Sequence, residues 1–295
     1  MLDFGYRCSQ CGREYAITPD RMLCDDCSAR QTPDQPLMGV LEVTLCGPLP
    51  ADWSPHDLLP VQRKWFPAIP VGNTPLWEPE RLREQSACAG LFLKDDSSNP
   101  TGSLKDRASF LVAAYARREG IDRIVLASTG NAGSSMSGVG AAAGLKVRLY
   151  LPAAAPPAKM VQALQYGADL VRVEGTYDLA YDQSMAYVAE HGGLSRNTGH
   201  NPLTIEGKKT VSLEIFRQLG GRVPDYLFVP TGDGVIVSGV YKGFEDLLSL
   251  EASDKMPTVV AVQAEGSASI TRALKTGAFG EPVAATTLAD SISVD

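Results

Sequence analysis

From residue 91 onward the sequence alternates short apolar runs with longer helical ones, and this alternation leaves the chain very few architectures. Strand-like runs stand at Leu91–Lys94, Arg123–Ala127, Lys146–Leu151, Asp169–Val173, Gly193–Asn197, Tyr226–Val229 and Thr258–Gln263. Between them lie helical stretches: Ser103 to Gly120, Ser134 to Gly144, Lys159 to Tyr166, Tyr177 to Glu190, one long helix from Leu203 to Leu219, another ending near Leu250, and Ser267 to Thr276. Strands recurring roughly every 25 to 30 residues with a helix between them predict an α/β fold of mostly parallel sheets covered by helices. The paired Lys208 and Lys209 read as the solvated face of the long helix, and His56, His191 and His200 as surface or helix-end residues, with His200 able to border a site.

The first 40 residues do not share this pattern. Cys8-x-x-Cys11 and Cys24-x-x-Cys27 are two knuckles separated by twelve residues. Four thiolates so arranged can close a tetrahedron around Zn²⁺, and a closed site of four protein ligands is structural and not catalytic. Iron or a redox pair are the alternatives to zinc. Residues 28 to 70 are rich in proline and read as an irregular linker with one strand near Val40–Leu45, while Trp53, Trp65 and Phe66 anchor it to the body. The expected organisation is therefore a zinc-ribbon-like module over 1–40 and a larger core over 41–295.

A formal net charge of -7 and the absence of any basic tract exclude a nucleic-acid-binding surface. No apolar run is long enough to span a membrane, and the N-terminus lacks the apolar stretch of a signal peptide, so a cytoplasmic protein is expected.

Three stretches carry the chemistry. In Asn99-Pro100-Thr101-Gly102-Ser103-Leu104-Lys105-Asp106-Arg107, Ser103 and Asp106 have the form of a capping box. Lys105 then falls in the first helical turn, where the dipole disfavours an ammonium ion; it is either a surface lysine or an amine poised for Schiff-base chemistry. Ser128-Thr129-Gly130-Asn131-Ala132-Gly133-Ser134 follows a strand and is either an anion-binding helix start or a tight turn that needs glycine. Thr231-Gly232-Asp233-Gly234-Val235-Ile236 has the form of a phosphate cradle, with Asp233 tolerable only if its side chain turns away. An amine with two anion-binding loops at strand ends suits a phosphorylated carbonyl compound, and pyridoxal phosphate is one.

In order and spacing these three stretches closely resemble the motifs of threonine synthase, a fold-type II pyridoxal-phosphate enzyme. The resemblance covers about residue 70 to the end, and several members of that family carry an N-terminal cysteine ribbon. It implies a catalytic core with a smaller cofactor-covering subdomain at about 107–205. It also implies that Lys105 forms the Schiff base and moves the substrate α-proton, that Asn131 bonds the cofactor ring oxygen, and that Gly232, Asp233, Gly234, Val235 and Ile236 hold the cofactor phosphate. Ser128 and Thr129 would contact the substrate carboxylate or phosphate. The implied reaction converts O-phospho-L-homoserine and water to L-threonine and phosphate, in an enzyme that forms a homodimer. Other family reactions are β-elimination or β-replacement on phosphoserine, serine or threonine, and a zinc-ribbon homologue without catalysis is the remaining reading. Leu104 replaces the usual Phe, the phosphate loop lacks the usual amides, and the chain stops at Ala289-Asp290-Ser291-Ile292-Ser293-Val294-Asp295, before the family's usual end. A C-terminal part carrying the hydroxyl residue for the pyridine nitrogen is expected to be missing.

Overall fold

A computed structural model of the chain describes residues 2–32, 35–155, 157–280 and 284–293. Val294 and Asp295 lie outside the described residues. The N-terminal part holds β1 (Asp3–Cys8), β2 (Glu14–Tyr15), the short α1 (Asp25–Ser28) and β3 (Leu41–Cys46). They form a three-stranded antiparallel sheet ordered β2-β1-β3, with Tyr6 opposite both Tyr15 and Val43. This sheet runs past residue 40, because β3 supplies its third strand.

The next elements are β4 (Leu76–Trp77), α2 (Glu80–Ser86), β5 (Leu93–Lys94), α3 (Lys105–Arg118), β6 (Arg123–Ala127), α4 (Asn131–Ala143), β7 (Lys146–Pro152), α5 (Pro157–Gln165), β8 (Asp169–Val173), α6 (Tyr177–His191) and β9 (Leu194–Ser195). Strands β8-β7-β6-β9 form a parallel sheet in that order. The chain continues through α7 (Leu203–Lys208), α8 (Thr210–Gln218), β10 (Tyr226–Pro230), α9 (Val235–Ser249), β11 (Thr258–Val262) and α10 (Ser269–Thr276). Strands β10 and β11 pair in parallel as a separate sheet, so the parallel architecture is as expected but divided.

Helix α3 is the axle. Every residue from Asp106 to Ala116 is buried, a pattern reserved for helices enclosed on all sides. Small residues let its neighbours approach at backbone distance. A Cβ on Gly207 of α7 would stand 2.5 Å from the Arg107 carbonyl oxygen, and the Ser135 hydroxyl of α4 meets that of Ser109 at 2.7 Å. Helix α9 lies equally close to α8: a Cβ on Gly243 would fall 2.6 Å from the Lys209 carbonyl oxygen and 2.7 Å from Ser212 Cβ. Since backbone cannot yield, Gly243→Ala is expected to cost about 1–3 kcal/mol, read as a lower urea midpoint.

The single long helix expected from Leu203 to Leu219 is broken at Lys209. There the Thr210 hydroxyl bonds back to the Gly207 carbonyl, and the Lys209 N–H bonds Glu206 in a tighter turn. Lys208 and Lys209 are not solvated, as the sequence suggested, but buried at 1% and 0% exposure. Lys209 is drawn inward by Glu206 and, at 2.7 Å, by Asp246 of α9, which also binds Lys242 at 2.8 Å.

A second buried network pins the start of α3. Arg107 grips Asp96 at 2.6 Å and Glu214 of α8 at 2.6 Å, and Lys94 of β5 reaches Glu214 at 2.7 Å. The Asn73 N–H also donates to Glu214. Burial works to raise the Glu214 carboxyl, but Arg107 outweighs it with help from Lys94 and holds the group at about 2. Lys94 is the lesser partner, because burial lowers its own ammonium even beside Glu214. A carboxyl depressed below its unfolded value near ~4.3 stabilises the fold fully above that pH and loses its contribution as pH falls through the folded value. Stability to urea should therefore fall as pH is lowered from roughly 4.3 to the folded value of about 2, by on the order of 3 kcal/mol from this group. Glu214→Gln should remove that part of the pH dependence.

Candidate active site

Lys105 is the first residue of α3, as predicted, but the capping box does not form. Ser103 Oγ is buried without a partner, and the Asp106 carboxylate instead accepts the Thr101 N–H at 2.7 Å and the Thr101 hydroxyl. The turn before the helix is thus tied from inside, leaving Lys105 half-buried at a helix N-terminus.

The three motif stretches, more than a hundred residues apart in part, meet on one short segment. Lys105 Nζ lies 3.4 Å from the Ser291 carbonyl oxygen, and Asn131 Nδ2 lies 3.3 Å from Ser291 Oγ. A Cβ on Gly232 would stand 2.7 Å from the Ile292 carbonyl oxygen. The 3₁₀ turn Asp290–Ile292 therefore marks the place where Lys105, Asn131 and Gly232 converge.

Each loop is built from local chemistry. Ser128 Oγ accepts the N–H groups of Gly130 and Gly133 at 3.2 and 3.0 Å, so this hydroxyl caps α4 from two residues before its cap position. Thr129 is half-buried, and Asn131 opens α4. In the second loop Gly234 adopts φ +85°, which a side chain would strain, and serves as the N-cap of α9. Asp233 turns back on its own backbone and accepts the Val235 N–H at 3.0 Å, so its carboxylate sits at the start of α9 and is not turned away as its charge would require beside a phosphate. The first-turn N–H groups of Ile236 and Val237 have no helical carbonyl before them and remain available to an anion.

Sequence reasoning missed several buried polar side chains. Arg196 follows β9 and is fully buried; its Nη1 donates to the Thr198 hydroxyl at 2.7 Å, its Nε reaches Ser109 Oγ at 3.4 Å, and its Nη2 has no partner. Burial lowers Arg196 to about 10, which leaves it charged at neutral pH. Burial also pushes Lys208 well below its ordinary value. His200 is drawn down to about 4 by burial and is neutral, with Nδ1 unpartnered. His56 is likewise not a plain surface residue but packs edge-on against Phe66 and Phe110.

At the other end of the chain Cys8, Cys11, Cys24 and Cys27 place their sulfur atoms within 4.8 Å of one another, with all but Cys11 buried. Tyr15 donates to Cys24 Sγ at 3.1 Å and Arg30 to Cys27 Sγ at 3.1 Å, contacts that orient and stabilise thiolates.

A family profile described as pyridoxal-phosphate dependent enzyme matches residues 68–295, which include every loop of the site. The chain belongs to this family. Among its curated relatives, the threonine synthase of Methanosarcina acetivorans is 33% identical over 275 residues, covering 92% of this chain and 67% of that protein. The threonine synthase of Methanocaldococcus jannaschii is 32% identical over 225 residues, covering 76% of this chain and 55% of that protein. The chain thus spans between about half and two thirds of these relatives' length. The processed form of threonine deaminase isoform 2 from Solanum lycopersicum superposes with a TM-score of 0.65 at 23% identity, covering 81% of this chain and 66% of that one. Maize serine racemase superposes with a TM-score of 0.65 at 20% identity, covering 76% and 65%. This pyridoxal-phosphate dependent enzyme is accordingly threonine synthase-like and of the fold-type II class. Its residues fit the cofactor: an amine at a helix start, a glycine loop with open N–H groups, and a positive-φ glycine at the start of a second helix. Among the described residues no helix is long and apolar enough to cross a membrane.

Proposed function

We propose that this chain carries the catalytic core of a lyase that converts O-phospho-L-homoserine and water to L-threonine and phosphate. The convergence of Lys105, Asn131 and Gly232 on one point carries the reading, and the threonine synthase relatives support it. When bound, pyridoxal phosphate supplies the electron sink for carbanion chemistry. Lys105 would hold its aldehyde carbon and carry protons to and from the substrate carbons, its amine kept reactive by the helix N-terminus. Asn131 would bond the ring oxygen and fix the plane of the ring. Gly232, Asp233, Gly234, Val235 and Ile236 would hold the cofactor phosphate through backbone N–H groups, the Val235 N–H being released for it by the Asp233 carboxylate that accepts it here. Thr129 would present its hydroxyl to the substrate carboxylate, while Ser128 would act there by holding the α4 N-terminus in shape.

The test is product analysis with O-phospho-L-homoserine: threonine and phosphate in equal amounts support the reading, and 2-oxobutanoate as the main product overturns it. The four cysteines are proposed to hold a structural zinc ion in the N-terminal ribbon. Cys24→Ser should abolish bound zinc in elemental analysis and destabilise the ribbon.

A further inference from the structure

A cavity of about 490 Å³ lies between the proline-rich lead-in, α3 and α8. That volume falls within the roughly 300–1,000 Å³ of ordinary small-molecule sites. Lys105, Asn131 and the loop Gly232–Ile236 do not line it. Leu59, Val71 and Phe110 give it an apolar side, and its charged groups are three arginines, Arg63, Arg107 and Arg217, against one glutamate, Glu214. In a chain with a formal net charge of -7 this is a local excess of positive charge.

The four charges are not equally engaged. Arg107 spends its Nε and both Nη groups on Asp96, Glu214, Thr210 and Thr74. Glu214 accepts from Arg107, from Lys94 at 2.7 Å and from the Asn73 N–H at 2.7 Å. These two groups are saturated and leave nothing for a ligand. Arg63, in the 3₁₀ turn Arg63–Trp65, and Arg217 of α8 are exposed, and among the described residues neither guanidinium forms an ion pair or a hydrogen bond. Arg217 lies over the Trp53 ring at 5.6 Å, a contact that restrains the side chain without neutralising it. The acid next to His56 does not compensate them, because the Asp57 carboxylate accepts the Ser54 N–H at 2.7 Å and the Ser54 hydroxyl at 2.8 Å. Burial, helped by Arg63, keeps His56 neutral. One exposed arginine is ordinary surface, whereas two unpaired ones on a single cavity with an apolar side form a receptor for an organic anion.

We propose that this cavity is a second ligand site, separate from the candidate active site, that takes a small aliphatic dicarboxylate. Arg63 and Arg217 each hold one carboxylate, and the carbon chain lies against Leu59, Val71 and Phe110. The planar fork of a guanidinium matches the two oxygens of a carboxylate. A free amino acid fits less well, since its ammonium group would meet no unengaged carboxylate: Glu214 is already saturated. An inorganic anion would leave the apolar side unfilled. The inference goes beyond the lyase reading and does not rest on it, because no residue assigned to the reaction lines the cavity.

The experiment uses the full chain incubated with pyridoxal phosphate. Binding of succinate, of butyrate as the four-carbon monoacid, and of inorganic phosphate is measured by calorimetry in the wild type, Arg63→Gln, Arg217→Gln and Thr129→Val. Succinate should bind the wild type saturably, with butyrate and phosphate at least about tenfold weaker. Each arginine variant should weaken succinate at least about tenfold, and Thr129→Val should leave it unchanged. Absence of saturable succinate binding, an unchanged affinity in either arginine variant, or butyrate or phosphate binding as tightly as succinate overturns the proposal. Loss of succinate binding in Thr129→Val also overturns it, by moving the ligand to the active site. Both arginines are exposed, so their variants should keep the wild-type urea midpoint. If one does not fold, the wild type decides: succinate should raise its melting temperature above that in chloride of equal ionic strength, and no difference overturns the proposal. A wild type that takes up no cofactor defeats the lyase reading alone and leaves the succinate measurement standing.

Discussion

Lys105→Ala is expected to lose the visible absorption of the loaded protein and to reduce turnover by roughly 10²–10⁴-fold or more, the range for removing a group that carries protons in catalysis. The loss should be chemical and not structural. Lys105 opens α3 without capping it, and the turn before the helix is held by Thr101 and Asp106. The variant should therefore unfold at the wild-type urea midpoint, with the zinc content of the wild type. A variant that keeps the visible band would move the cofactor to another amine, and Lys208 would be the next to test.

Arg107→Met is expected to have the largest effect on stability, a loss of about 3–5 kcal/mol, the cost of removing one partner from a buried ion-pair network. Arg107 is the one cation that, among the described residues, forms ion pairs with both Asp96 and Glu214, and its own side chain is 1% exposed. Without it Glu214 keeps Lys94, whose ammonium burial already disfavours, and the Asn73 N–H, while among the described residues the Asp96 carboxylate keeps the Thr74 hydroxyl. The guanidinium also ties α3 to α8 and to the segment before β4, so the start of α3 should loosen and cofactor affinity should fall with stability. Denaturation in urea with and without pyridoxal phosphate measures both effects. A variant as stable as the wild type would mean that the network is not what holds α3 in place.

The alternation of strands and helices was legible because each element carries its own apolar run and its own stop, such as Gly120, Gly144 and Gly167. The three motif stretches were legible for a related reason: glycine, a hydroxyl and a helix start are local signals, and the structure brings all three together. What failed depended on distant partners. Lys208 and Lys209 look solvated in sequence, yet Asp246, far along the chain, draws Lys209 inward and with it breaks the expected long helix. The close packing had one local sign, Gly207 beside them, whose missing side chain lets α7 touch the backbone of α3. Arg196 gave a weaker sign, as a cation directly after a strand on the ligand-bearing side. The capping box failed because Asp106 found a nearer donor in Thr101, a competition that spacing alone does not reveal.

The most direct measurement is borohydride reduction of the chain after incubation with pyridoxal phosphate, followed by mass spectrometry of its peptides. The account predicts that the visible band disappears and that a single pyridoxyl adduct is found on Lys105. An unmodified Lys105, or an adduct spread over surface lysines with no visible band before reduction, would contradict it.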